Sequence, residues 1–424
     1  MTALNPDSVQ EFRVITSNFL PEFGRNTGSV VDIVSKSGSN DFHGDAYWFG
    51  RYDALGARDF FNHQVNSAGQ VVPKDFYVRN TFGGSAGGPI VRNKTFWFAN
   101  YDAERFVTTL TNTSTVPAPV FKTGVFTYQG VPVDVTSPEN YLGLPVDANV
   151  QRILALYQAP NGPSVDNVRG LLYFPSRTTT TGDNVTARVD HNFTPQETLT
   201  ARYTFNRYED PNLDHTDFLP GLGGTGTLQR KQNLSIRWTS VLSERLLNEL
   251  RLGGNRINFP LTCQGRNILN HVGMTDIFGR GQDFPLPGIS GFGCLVIVDR
   301  DQAQRFSGTY TLGDSVTWVK GLHTWKTGVE FRDSYSNSSN NFLSRTTFDF
   351  NNFSNFGIPA FMTGTAIDAN PTLQNMVWSL FGVGSEMQAQ FFGKRSIRTP
   401  NDLRGFRQKE FNAFLQDPIR SGQT

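Results

Sequence analysis

Residues 9–44 read VQEFRVITSNFLPEFGRNTGSVVDIVSKSGSNDFHG, and the reading of this stretch governs the rest of the chain. In 9–16, Phe12 and Val14 stand among polar neighbours. In 30–36, Val31 and Ile33 share one face while Asp32 and Lys36 take the other, the two-residue period of a half-buried strand. Between these runs lie Gly24, Arg25, Asn26 and Gly28, which suit a tight loop because glycine tolerates positive φ. Ser37-Gly38-Ser39-Asn40 breaks the pattern, and longer amphipathic runs follow. The stretch predicts that something small and folded ends here and that something large and repetitive begins.

The composition points the same way. The 424 residues include 36 Phe and 41 Gly, with 13% aromatic and only 18% charged residues, a mixture suited to strands and turns rather than to amphipathic helices. Mean hydropathy is −0.36, and no run approaches the ~18 apolar residues that read as a membrane helix. A transmembrane β-barrel escapes that test, because only alternate residues of each strand face lipid. A net charge of +1 without any Lys/Arg block gives no reason to expect nucleic acid.

Strand-like runs occur at 45–52, 79–88, 95–105, 184–193, 199–207, 233–239, 247–256, 310–319, 323–335 and 407–417. Their alternation is sharpest in the middle of the chain. Leu234, Ile236 and Trp238 oppose Arg237, and Leu250 and Leu252 oppose Glu249 and Arg251; in the preceding pair, Val185, Ala187 and Val189 oppose Arg188, while Leu199, Ala201 and Tyr203 oppose Arg202. A wall with lipid outside and a polar lumen inside requires this arrangement, so Arg188, Arg202, Arg237, Glu249 and Arg251 are expected to face the lumen. Short turns at 89–94, 194–197, 243–245 and 320–322 alternate with long connections at 106–182, 208–230, 258–304 and 336–404, the asymmetry of short periplasmic turns and long external loops. Within the long connections, helices are predicted near 146–157 and 373–381.

Several motifs resemble TonB-dependent outer-membrane receptors, in particular the Oar-type branch. They are Glu22-Phe23-Gly24, the passage Lys36-Ser37-Gly38-Ser39-Asn40-Asp41-Phe42-His43-Gly44, and the run FGGSAGGPIVRNKTFWFANYDAER at 82–105. Further along come Trp318, Gly321, His323, Lys326 and Gly328, then RQKEFNAFLQD at 407–417. The resemblance implies an all-β fold: residues 1–40 as the C-terminal part of a plug domain, and 41–424 as the N-terminal half of an antiparallel transmembrane β-barrel. About 10 or 11 strands would be present of the ~22 that such a barrel closes around its plug. It implies energy-coupled uptake of a nutrient (an iron chelate, vitamin, carbohydrate or peptide) across the outer membrane, with lipid, a small ligand and a periplasmic TonB-type energy transducer as partners. The transducer's contact motif is not in this sequence, and neither a basic nor an apolar leader precedes the plug-like pattern, so the chain reads as a fragment of a longer receptor or as a mis-started reading frame.

Glu22 and Arg25, beside the Gly24 turn, are the residues expected to pair with opposite charges on the inner wall, since a buried unpaired charge is costly. Cys263 and Cys294 sit in Gly/Pro-rich stretches and read either as a loop disulfide or as two unrelated thiols. No nucleophile elbow, zinc-protease helix, phosphate loop or dinucleotide fingerprint is present, so no catalytic residue, metal or cofactor is expected. The competing reading is a surface β-protein, a propeller, sandwich or adhesin binding carbohydrate through its aromatic residues. Strand length separates the two, because such folds use strands of ~5–6 residues and membrane walls need ~9–11.

Overall fold

The computed structural model describes residues 5–16, 20–24, 28–58, 60, 63, 65, 69–137, 146–213, 225–263, 288–289, 303–339, 347–350, 370–382, 386–388 and 403–417. At the start, β1 (Val9–Ile15) and β2 (Val30–Ser35) pair antiparallel as a separate hairpin. Next come β3 (His43–Tyr52), β4 (Phe76–Val91) and β5 (Thr95–Pro117), the small hairpin β6 (Val125–Tyr128) and β7 (Val131–Asp134), then β8 (Arg169–Thr194) and β9 (Glu197–Asp210). After these follow β10 (Thr225–Ser243), β11 (Leu246–Asn258), β12 (Leu261–Cys263) and β13 (Gly288–Ile289). The last are β14 (Arg305–Lys320), β15 (His323–Ser339), β16 (Thr347–Phe350), β17 (Glu386–Gln388) and β18 (Leu403–Gln416).

One 11-stranded antiparallel sheet dominates, in the order β18-β15-β14-β11-β10-β9-β8-β5-β4-β3 with β12 beside β10. Apart from the excursions that leave the sheet, each strand pairs with its neighbour in sequence. This up-and-down meander is a partial barrel wall whose long strands hold up to 26 residues. No described helix is long and apolar enough to cross a membrane. The short turns fall where the sequence marks them. Asn93 (φ 61°) closes β4–β5, and Gly321 (φ 62°) closes β14–β15, both in the left-handed region that Gly and Asn adopt most readily.

The connection expected at 106–182 is shorter as a loop than the sequence suggests. β5 and β8 stay hydrogen-bonded as far as Pro117 opposite Arg169. The reason lies in runs such as Thr108-Thr109 and Thr178-Thr179-Thr180-Thr181: threonine's β-branched side chain favours the strand even where the sequence otherwise reads as loop. Likewise β9 persists to Asp210, β15 to Ser339, and β18 starts at Leu403, while much of 208–230, 258–304 and 336–404 lies outside the described residues.

Beyond the wall these connections build a cap with a core of its own. The predicted helices form at Ala148–Leu156, where the Asp147 carboxylate accepts from the backbone N–H of Asn149 and Val150, and at Pro371–Leu380, where Asn370 caps Leu373. Phe121, Val135, Ile153 and Leu154 from the first connection interlock with Leu373, Met376, Val377 and Leu380 from the last, all at most 1% exposed. Asp147 N–H donates to the Leu380 carbonyl (2.8 Å), and Asn370 Nδ2 to Gln129 Oε1 (3.1 Å).

Candidate functional site

The strand register assigns every wall residue a face, because directly paired residues of neighbouring antiparallel strands share a side of the sheet. Ile236 pairs with Leu252, Trp238 with Leu250, and Leu234 with Gly254, so the five apolar residues read as lipid-facing stand on one face. Arg237 pairs with Arg251 and Thr239 with Glu249 on the other; Arg202 pairs with Ser235 and with Arg188, which carries that polar face across to β8. Glu249 gathers two of the guanidiniums, with Arg251 Nε at 2.6 Å and Arg237 Nε at 3.7 Å. Arg188 is held by both oxygens of Asp190 (2.8 and 2.9 Å), and no ion pair is made by Arg202 among the described residues.

The N-terminal segment lies on this polar face. The sequence Asn5-Pro6-Asp7 starts a short 3-10 turn in which the Asn5 side chain accepts from Asp7 N–H. The same side chain donates from Nδ2 to Tyr47 Oη (3.0 Å) and Asn100 Oδ1 (3.1 Å). Tyr47 donates onward to Asp102 (2.8 Å), which also accepts from Asn184 Nδ2 (3.0 Å), so a polar chain runs over β3, β5 and β8. Asn100 Nδ2 returns to Asp7 (3.3 Å), which pairs with Lys36 (3.4 Å). At the end of β2, Arg188 Nη1 donates to the Ser35 carbonyl (2.6 Å) and Oγ (3.3 Å), with Ser35 only 2% exposed. A Cβ at Gly38 would collide with the carbonyl oxygens of Trp97 and Gly88, so glycine is what lets the chain lie flat against β4 and β5 as it enters the wall. Asn40 then exchanges hydrogen bonds with Asn93, fastening that passage to the β4–β5 turn.

At the far side, the turn Pro21–Phe23 packs against β18. Glu22 forms an ion pair with Lys326 and accepts from Gln416 Nε2 (3.4 Å). Its wall partners therefore stand on β15 and β18, while Arg188 of β8 meets the hairpin at Ser35. Arg25 and Cys294 lie outside the described residues, and with Cys294 the question of a bond to Cys263. The motif residue His323 lies 2.6 Å from Asp417, which also accepts from Thr324 N–H, so this histidine ties β18 to the start of β15.

Sequence reasoning singled out Glu22 but not Asn5, Tyr47, Asn100, Asp102 or Gln416 as contact residues. The Asn-Pro-Asp pattern is a local capping signal, and Lys326 stands within a quoted motif, yet neither reveals a partner across the lumen. Between the turn and the wall lies a cavity of about 720 Å³, bordered by Glu22, Ser235, Arg251, Gly253, Thr311 and Arg332. The contact combines neutral hydrogen bonds worth ~1 kcal/mol each, the charged donor Arg188 on Ser35 worth ~1.5–3 kcal/mol, and the ion pairs Glu22–Lys326 and Asp7–Lys36.

A family model described as an outer membrane beta barrel domain matches residues 34–423. The TonB-dependent transporter Oar of Myxococcus xanthus is 35% identical over 102 residues, 23% of this chain and 9% of Oar. The outer membrane transporter YddB from Escherichia coli is similar over 81% of this chain and 37% of its own, with a TM-score of 0.45 and 11% identity. For the siderophore receptor PirA from Acinetobacter baumannii the shares are 79% and 36%, with a TM-score of 0.42 and 9% identity. The chain thus spans well under half the length of these relatives. With residues 34–423 matched and a strand-built wall to match them, the chain belongs to the outer membrane beta barrel domain family and is an outer-membrane protein.

Proposed function

We infer that this chain is part of an Oar-type TonB-dependent receptor, with residues 1–40 as the end of the plug and 41–424 as the first half of the barrel wall and its extracellular loops. One observation carries the reading: a charged hairpin, too short to cross a bilayer, is seated on the polar face through Asn5, Ser35 and Glu22. Support comes also from the 35% identity to a TonB-dependent transporter over 102 residues. In this account a small nutrient (an iron chelate, vitamin, carbohydrate or peptide) is bound from outside, and a periplasmic TonB-type energy transducer acts on the plug. The hairpin's modest contacts yield one at a time, and the space beside Glu22 widens into a path. The residues do positional and electrostatic work, with no bond-making step.

The test is to tether the hairpin. Cysteines replacing Glu22 and Gln416 in the complete receptor, oxidised to a disulfide in cells, are expected to abolish energy-dependent uptake across a panel of those four ligand classes, with reductant restoring it. Uptake of the receptor's ligand at an unchanged rate through the verified crosslink would contradict the reading.

A further inference from the structure

The outer face of the wall holds a feature that mere contact with hydrocarbon does not require. Toward the long connections, Tyr101, Tyr203, Tyr310 and Tyr335 stand on the outer face, an aromatic girdle opposite that of Trp97, Trp238, Trp318 and Trp325 near the short turns. Past the tyrosines the outward positions turn basic. Arg105 is neutralised by Asp183 (2.6 Å) and Arg207 by Glu209 (2.7 Å), while Arg407 lies over the Tyr335 ring at 5.6 Å. Arg230 and Arg256 are exposed and make no ion pair among the described residues. Arg230 pairs with Asn258 and Arg256 with Gln232, so the two arginines are diagonal neighbours, about 7–8 Å apart across β10 and β11. β11 begins at Leu246 beside a short turn, which places Arg256 about one crossing, ~9–11 tilted residues, away at the opposite membrane surface.

Directly beneath Arg256 the lipid-facing surface is hollow. A cleft of about 580 Å³ passes over Gly254, with Leu234, Leu252, Tyr310 and Phe331 among its walls. Gly254 is opposite Leu234 on one side and Tyr310 on the other, and a Cβ there would stand in ordinary van der Waals contact with the Tyr310 ring (3.5 Å), so that ring forms the wall of the cleft beside the glycine. At the rim, Gln232 Nε2 donates to Tyr203 Oη (3.0 Å), making the transition from apolar cleft to polar edge.

We propose that the cleft over Gly254, with Arg230 and Arg256, is a binding site for a phosphorylated lipid of the leaflet that faces the long connections. One acyl chain fills the cleft, and the headgroup phosphate bridges the two guanidiniums, whose planar forks match phosphate oxygens. The apolar cleft gives no place to a free hydrophilic anion, and the paired arginines give a neutral headgroup nothing to neutralise them. Phosphate and chain are both needed, which makes a membrane lipid the occupant.

The experiment uses the complete receptor purified from outer membranes in mild detergent and mixed with diphosphorylated lipid A, phosphatidylcholine or inorganic phosphate, with bound species read by native mass spectrometry. The wild type is expected to retain lipid A and to hold phosphatidylcholine at least ~10-fold more weakly. The double variant Arg230→Ala/Arg256→Ala should lose ~10–100-fold in lipid A affinity, the loss of hydrogen bonds between charged groups. Gly254→Leu, which fills the cleft and leaves both arginines intact, should also reduce retention, while heat-modifiable migration confirms that each variant folds. Equal retention of lipid A by the wild type and both variants overturns the proposal, as does equal retention of lipid A and phosphatidylcholine by the wild type. Displacement of lipid A by millimolar inorganic phosphate overturns it too, leaving a surface anion site without the lipid.

Discussion

The wall and the cap spend their apolar side chains in opposite ways. In the cap, Phe121, Leu373, Met376 and Leu380 are 0% exposed and packed on protein alone. In the wall, the outward residues Leu234, Leu252, Phe331 and Phe411 remain 42–71% exposed, because their packing partner is the acyl chain of a lipid. The two regions therefore fail in different ways. A cap residue is sensitive to lost volume, since a cavity forms that nothing refills. A wall residue tolerates lost volume, because lipid flows in, and is sensitive to gained charge.

Substitutions sharpen this contrast. Phe121→Ala is expected to cost the cap ~3–5 kcal/mol, seen as faster hydrogen exchange in 119–156 and 371–380 while the wall keeps its heat-modifiable migration; simultaneous loss of both would show that cap and wall are one cooperative unit. In lipid vesicles, Ile236→Arg should cost ~2–4 kcal/mol if the site is near the midplane, while its neighbour Arg237→Ala stays within about 0.5 kcal/mol. Equal effects at these adjacent positions would erase the distinction between faces. Arg188→Ala removes the hydrogen bonds to Ser35 and Asp190, a loss of ~1.5–3 kcal/mol for charged partners, and should expose the β1–β2 hairpin to protease without altering the wall.

The smallest effect is one of pH. Burial holds the Lys122 ammonium, in the cap, below the usual lysine range. The folded cap therefore releases this proton before the unfolded chain does, near pH ~10.4. Below the folded pKa the charged form is penalised by folding; as pH rises through that value the penalty is relieved, so the cap gains stability. Hydrogen exchange in the cap should slow correspondingly, after correction for the intrinsic rate, and Lys122→Met should remove the trend.

The wall was legible in the sequence because its signal is local. A two-residue period over Leu234–Trp238 or Leu250–Leu252 fixes the face of each residue wherever the strand pairs, and the short turns fix the register. The cap was not legible, although both its helices were. Its core joins Phe121 to Leu373 across most of the barrel sequence, and each connection alone shows only a modest apolar stripe. Threonine-rich strand ends read as loop in the sequence because Thr serves both. Of the inner contact, Glu22 could be singled out from its charge beside a turn, but its partner Lys326 stands 304 residues away, and nothing local in the sequence connects the two.

The central claim is that β1, β2 and the turn at Glu22 lie on the polar inner face while Ile236 and its companions face lipid. In the complete protein reconstituted into vesicles, an environment-sensitive fluorophore is attached to single cysteines at Glu22, Ser235 and Ile236 and challenged with nitroxide-labelled lipid. The account predicts strong quenching at Ile236 and none at Ser235 or Glu22, although Ser235 is the adjacent residue. Quenching at Glu22 as strong as at Ile236 would put the hairpin in the membrane and contradict the account.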